Sequence, residues 1–346
     1  MAPARQRASG RLRERDLKLS VCIPTYNFGR YIEATLRSIA SQLRPGVEVI
    51  ILDGGSTDNT ADVVQRFVHG WPVIRYVRQA QRGGIDRDIA RVVDLARGDY
   101  CWLFSADDVM KPAAVDLVLN AIESKEDLYL CTMTLCDLDL NVIHDHQVSR
   151  AAPGELFDLQ NARERLRYFK LAETTTAFFS FMGSLIVRRE RWNSQPLEEK
   201  YVGSLWAHVV RLCRMIPQGM RLRYIGQPLL DKRSGNDSFM EKGLVHRYAL
   251  AIDGYHRIAA DVFGVNSFEA RHMRRVLANE FPPIVFFDMQ DRCGAGERAE
   301  IDRLAFKTYG DMRLANVVSL LQYRFSRQTR RAASRVKRFT RKLAGL

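Results

Sequence analysis

Apolar and polar positions along the first third of the chain switch repeatedly between the period of a strand and that of a helix. Residues 19–23 form a β-prone run closed by the turn formers Pro24-Thr25-Tyr26-Asn27. Residues 30–43 then set Ile32, Leu36, Ile39 and Leu43 at helical spacing. A second strand is predicted over 47–52, ending on Asp53-Gly54-Gly55-Ser56-Thr57-Asp58 and followed by a helix over 60–68. A third, over 73–77, leads through Gly83-Gly84-Ile85-Asp86-Arg87 into a helix with Ile89, Val92, Val93 and Ala96 on one face, which Gly98 ends. Tyr100-Cys-Trp-Leu-Phe-Ser-Ala-Asp107-Asp108 reads as a buried strand that stops on two adjacent carboxylates. Strand and helix alternate at the spacing of right-handed crossover units. The expected fold class is therefore α/β, with a mostly parallel sheet flanked by helices.

Farther along, the pattern loosens. A strand is predicted over 128–135 with a turn at 137–141, and a polar helix over 150–169. Residues 178–187 are apolar enough for core but carry the small residues Ser180, Gly183 and Ser184. A helix is predicted after Gly203 to residue 215, and a short strand over 222–225. A polar loop holds Arg233, Asn236 and Asp237, and a largely helical pattern, broken at Pro282-Pro283, runs to residue 323. The organisation read from this is a basic tail over 1–18, an α/β domain over 19–240, a helical extension over 241–321 and a basic amphipathic tail over 322–346.

Composition sharpens the picture at the ends. With 346 residues and 46% hydrophobic content the chain can bury a large core. Its six cysteines are scattered without a C-x-x-C pair, as buried thiols of a reducing compartment would be. No signal-peptide pattern is present and no apolar run approaches the ~18 residues of a spanning helix, so a cytoplasmic location is expected. The net charge of +13 is concentrated: residues 1–18 carry +4, residues 322–346 carry +9, and the body between them is neutral. In the last segment Phe325, Ala332, Val336, Phe339 and Leu343 follow one helical face among the arginines and lysines. Such a helix can lie on an anionic membrane, or the run can be a solvated tail. A pI near 9.7 also admits a nucleic-acid or polyanion binder, but no recognisable module accompanies it, and no specific nucleic-acid partner is expected.

In a parallel sheet the segments after residues 23, 52 and 104 share one edge, so residues 24–27, Asp53 and Asp107 should converge where open α/β sheets take their ligands. The competing role for Asp107 or Asp108 is a cap on the helix that begins near Pro112.

Taken together, Ser20-Val-Cys-Ile-Pro-Thr-Tyr-Asn27, Asp53-Gly-Gly-Ser-Thr-Asp58, Gly83-Gly84-Ile-Asp-Arg87 and Ser105-Ala-Asp107-Asp108 resemble glycosyltransferase family 2, whose fold is GT-A. The run ending in Asp107-Asp108 and the later Gly-Asn-Asp-Ser-Phe are similar to its abequosyltransferase-like branch. The resemblance is firm over 19–120 and looser to about residue 240. It implies an inverting enzyme that uses a nucleotide-sugar donor in the synthesis of bacterial surface polysaccharide, and the basic amphipathic tail suits a lipid-linked saccharide acceptor at the inner face of the membrane. Pro24, Thr25, Tyr26, Asp53, Gly55, Gly84, Arg87, Asp107 and Asp108 would bind donor, and Asp107 and Asp108 would bind Mg²⁺ or Mn²⁺. Arg233 and Asn236 would contact diphosphate or acceptor. Arg87 can equally be a surface helix charge. Where the family commonly has an acid two residues before Asp107, this chain has Ser105. His208 stands where the family's basic Asp would fall and can serve as base, metal ligand or core histidine; Asp237 is the second candidate base. A catalytically inactive nucleotide-sugar binder is the remaining alternative.

Overall fold

The computed structural model describes residues 17–236 and 242–310, together with 318–319, 321–326 and 328–329. They fall into two compact units, one made of residues up to 147, 151–168 and 179–236, the other of 148–150, 169–178 and the described residues from 242 onward.

The first unit is built on β1 (Leu19–Thr25), β2 (Val47–Asp53), β3 (Ile74–Arg78) and β4 (Tyr100–Leu103), all parallel in the order β3-β2-β1-β4. Every residue of β1, β2 and β4 is buried, which is why these strands read as continuous apolar runs rather than alternating ones. Their crossovers are α1 (Ile32–Ala40), α2 (Thr60–Gly70) and α3 (Ile85–Asp94), and α3 packs its Ile89, Val92 and Val93 face on β1 and β2. After β4 come the two-residue β5 (Val109–Met110) and α4 (Ala114–Ile122), then β6 (Leu128–Cys136) and its hairpin partner β7 (Val142–Asp145).

The remaining strands extend the sheet in an order the apolar pattern does not disclose. Residues 150–169, expected as one helix, form β8 (Leu156–Asp158) and then α5 (Ala162–Leu171). β9 (Leu185–Arg188) inserts between β4 and β6, antiparallel to both. After the short α6 (Arg189–Asn193), α7 (Ala207–Met215) starts three residues later than Gly203 allows. The expected short strand over 222–225 is a 13-residue β10 (Arg221–Arg233), parallel to β6, antiparallel to β8 and β5. Its register shifts on either side of Pro228, so Gly226 and Pro228 fall at bulges instead of ending the strand.

The second unit contains α8 (Leu244–Phe263), α9 (Phe268–Glu280), α10 (Pro283–Arg292) and α11 (Arg298–Tyr309). Pro283 opens α10, a position where its missing N–H costs nothing. The helices close over a core that includes Ile252, Phe286, Met289, Leu304 and Tyr323. Among the described residues no helix is long and apolar enough to cross a membrane.

Candidate functional site

In the parallel register Thr25 stands beside Asp53, and Cys22 beside Leu103, so β1, β2 and β4 deliver their carboxyl ends to one edge. The two loops leaving β1 and β2 are strapped together. Asn27 takes the left-handed conformation (φ 59°) that asparagine tolerates better than most residues. Its N–H donates to Ser56 Oγ at 2.8 Å and its Oδ1 accepts from Thr57 N at 2.8 Å. Next to it, Phe28 N donates to Thr60 Oγ1 and Gly29 N to Asp58 Oδ2. Gly55, at φ 87°, makes the turn beside them.

Asp53 is fully buried in this corner, with Oδ1 accepting from Ser56 N at 2.7 Å and Oδ2 from the Tyr76 hydroxyl at 2.6 Å. Burial and the hydrogen bond to the carboxylate push the Tyr76 phenol well above its usual range, so Tyr76 stays a donor. A carboxylate offers about four lone-pair sites, so Asp53 keeps acceptor capacity for a ligand N–H. The Thr25 hydroxyl is buried without a partner, and the Arg82 guanidinium lies 4.1 Å from the Tyr26 ring centroid. A flat ring, a cation and a carboxylate suit a nucleobase. Neither Tyr76 nor Arg82 stands out in the sequence, since an aromatic in a strand and an arginine in a loop are ordinary there.

The second corner lies just beyond β4. Neither carboxylate caps α4, whose N-cap residue is Ala113. Asp107 instead accepts from the Ser105 hydroxyl through Oδ1 and from Asn236 Nδ2 at 2.5 Å through Oδ2. Its carbonyl accepts from Arg233 Nε at 2.8 Å, while the guanidinium also reaches the Leu138 carbonyl and lies over the Tyr31 ring. Asp108 is buried, with Oδ1 accepting from Arg233 N at 3.0 Å and Oδ2 without a partner. Burial first, and the neighbouring Asp107 charge second, raise the Asp108 carboxyl well above its ordinary value. Two adjacent acids, one with an unpaired buried oxygen, offer oxygen atoms of the kind a hard divalent cation takes as ligands. Among the described residues no third histidine, cysteine or acid joins them, so other ligands would have to be phosphate oxygens and water, the usual arrangement for Mg²⁺.

The other expected residues are placed differently. Gly84, at φ 84°, turns the chain into α3 with open space where a Cβ would sit. Arg87 pairs bidentately with Glu199, at 3.0 and 2.6 Å, and is half exposed; here it is a surface ion pair. Arg233 and Asn236 hold Asp107 and Asp108. His208 is buried on the first turn of α7 with no well-formed hydrogen bond to either ring nitrogen. Burial lowers its pKa to about 4 against the opposing pull of Asp86 and the Phe179 backbone, so the ring is neutral near pH 7. Asp237 lies outside the described residues.

Comparison with known proteins agrees with this architecture. The profile of glycosyl transferase family 2 matches residues 20–189. The abequosyltransferase RfbV of Salmonella typhimurium strain LT2 is 33% identical over 271 residues, covering 76% of this chain and 81% of the relative. The chondroitin synthase of Escherichia coli is 36% identical over 117 residues, 34% of this chain and 17% of that one. Among solved structures, S. aureus TarS 1-349 in complex with UDP superposes with a TM-score of 0.58 at 17% identity, covering 85% of this chain and 80% of that chain. The Pyrobaculum calidifontis mannosyltransferase PcManGT in complex with GDP-Man and Mn²⁺ gives 0.50 at 17% identity, over 88% and 79%. These likenesses establish the GT-A fold, and with the sequence relatives they make the protein a glycosyltransferase: the chain belongs to glycosyltransferase family 2.

Proposed function

We propose that the enzyme transfers a sugar, with inversion at the anomeric carbon, from a nucleotide-sugar donor to a lipid-linked saccharide during assembly of a bacterial surface polysaccharide. The observation that carries this reading is the shared edge on which Asp53 and the Asp107–Asp108 pair stand, one strand apart on either side of β1. The abequosyltransferase and chondroitin synthase relatives support a polysaccharide product. Neighbours solved with UDP, UDP-GlcNAc, or GDP-Man and Mn²⁺ support the donor class.

Pro24, Thr25, Tyr26, Gly55 and Asp53 would hold the nucleoside, with Tyr76 fixing the Asp53 carboxylate. Asp107 and Asp108 would hold Mg²⁺ or Mn²⁺, which when bound neutralises the departing diphosphate. Asn236 and Arg233 orient that pair through Asp107 Oδ2 and the two backbone contacts. The acceptor hydroxyl oxygen bonds to the anomeric carbon from the face opposite the diphosphate, whose C–O bond breaks with the electron pair leaving on the diphosphate oxygen. The hydroxyl proton passes to a base. His208, neutral near pH 7, is in the state to accept it, and Asp237 is the other candidate. The basic segment 322–346 would keep the enzyme at the inner leaflet, where a lipid-linked acceptor resides.

Calorimetry of a donor panel with Mg²⁺ or Mn²⁺, repeated on Asp107→Ala, tests the site, and nucleotide release with a lipid-linked acceptor tests the transfer. Asp107→Ala is expected to weaken metal-dependent binding by at least ~10-fold, about 1.4 kcal/mol. Undiminished metal-dependent binding in the variant would refute the role of Asp107. Donor binding without nucleotide release across the panel would mark an inactive binder.

A further inference from the structure

The amino-terminal turn of α7 does not cap itself. Trp206, at the N-cap, makes no side-chain capping bond, yet the first amides of a helix need acceptors from outside it. Trp206 N donates to the Ser204 hydroxyl at 3.1 Å, while Ala207 N, the first amide of the helix, and Gly203 N and Leu205 N of the turn before it share one acceptor on α3. The Asp86 carboxylate is 3% exposed; its Oδ2 accepts from Gly203 N at 2.8 Å and Leu205 N at 3.0 Å, and its Oδ1 from Ala207 N at 3.1 Å. One carboxylate thus satisfies three amides of a segment more than a hundred residues away, with the charge-assisted bonds that are the stronger kind.

The held segment is not one that would keep its shape unaided. Gly203 sits at φ 87° and Leu205 at φ 73°, a left-handed conformation that a leucine adopts only when its surroundings impose it. Arg87, next to Asp86, grips the other end of the same segment through Glu199. His208 directly follows the last amide that Asp86 binds, so the same turn sets the direction of its side chain. Gly84, the N-cap of α3 two residues before Asp86, is an expected donor-binding residue, so the start of α3 lies between that position and the turn that carries His208.

We infer that Asp86 is a positioning residue, which sets the amino-terminal turn of α7 and thereby aims the His208 ring for proton removal from the acceptor. The inference rests on His208 being the base. Asp86 touches no reacting atom in this scheme; its charge also favours protonation of His208, which supports the assignment.

A double-mutant cycle of Asp86→Asn and His208→Asn, read as kcat for transfer and as donor Kd by calorimetry, separates the possibilities. If Asp86 acts through His208, Asp86→Asn lowers kcat by about 10- to 100-fold with donor Kd within about two-fold, and it costs less than about two-fold once His208 is Asn. An equal loss in both backgrounds, or an unchanged kcat in the single variant, overturns the proposal while leaving His208 as base. A His208→Asn enzyme with unaltered kcat instead removes the base assignment itself, and the proposal with it. Asp86→Glu, which keeps the charge one methylene farther out, goes through the same cycle under the same criteria should Asp86→Asn fail to fold.

Discussion

Asp53 and Asp108 are both buried acids on one sheet edge, and they are treated in opposite ways. Asp53 has a partner on each oxygen, whereas Asp108 keeps one oxygen bare beside the Asp107 charge. For Asp108 the folded chain holds the proton more tightly than the unfolded chain. Between the ordinary carboxylate value and the raised one the native state therefore binds more protons, and the stability of the donor-free enzyme falls as pH rises through that window. Asp108→Asn removes this penalty. Thermal unfolding without divalent ion is expected to show it more stable than wild type near pH 7, by about 0.5–2 kcal/mol, with the gain vanishing at acid pH while donor binding is lost. A variant less stable at every pH would contradict the role given to burial.

Such carboxylates are legible from sequence because an acid that ends an apolar run is anomalous. Asp86 is not legible in this way. An acid in the first turn of a helix is what the helix dipole favours, and the amides that Asp86 binds leave no mark in the sequence. Arg87 illustrates the converse: its place in the Gly83–Arg87 motif suggested a ligand, and the structure gives it Glu199.

At the scale of elements, β1 to β4 and α1 to α3 were readable, with ends displaced by a few residues, because both faces of the parallel strands are buried and the helices are amphipathic. β9 was not. Four residues can be recognised as a strand between β4 and β6 only through partners far away in sequence. β10 was underestimated because Gly226 and Pro228 look like breakers until bulges absorb them. The exit from α3 is also tightly constrained: a Cβ on Gly98 would lie 2.8 Å from the Leu19 carbonyl carbon and the Ser20 amide nitrogen, which are backbone atoms unable to yield. Gly98→Ala is therefore expected to destabilise the first unit by about 1–3 kcal/mol in denaturant unfolding, by wedging β1 from the start of β4. A loss below a few tenths of a kcal/mol would mean that the junction relaxes freely.

For the molecule as a whole, the uneven charge matters more than the total. The neutral body between residues 19 and 321 gives no cause for polyanion binding, and the ends, which lie largely outside the described residues, carry the excess. On the proposal that residues 322–346 hold the enzyme at the membrane, replacing their arginines and lysines with glutamine, which spares the core residue Tyr323, should abolish co-sedimentation with anionic vesicles, at about 1 kcal/mol for each basic residue near the surface, and leave donor binding intact. Retained vesicle binding, or a specific DNA affinity that the replacement removes, would redirect the reading.

The place of β9 also bears on how the chain is made. β4 pairs with β1 on one side, but its other side waits for Leu185–Arg188, so some eighty residues must be added before that edge is covered. At roughly 5–20 residues per second, a ribosome exposes the open edge of the β4 strand for about 4–16 s. During that interval the apolar Tyr100–Leu103 strand is a template for intermolecular pairing. The nascent enzyme therefore passes through an interval of exposure to aggregation at the strand that leads to its proposed metal site.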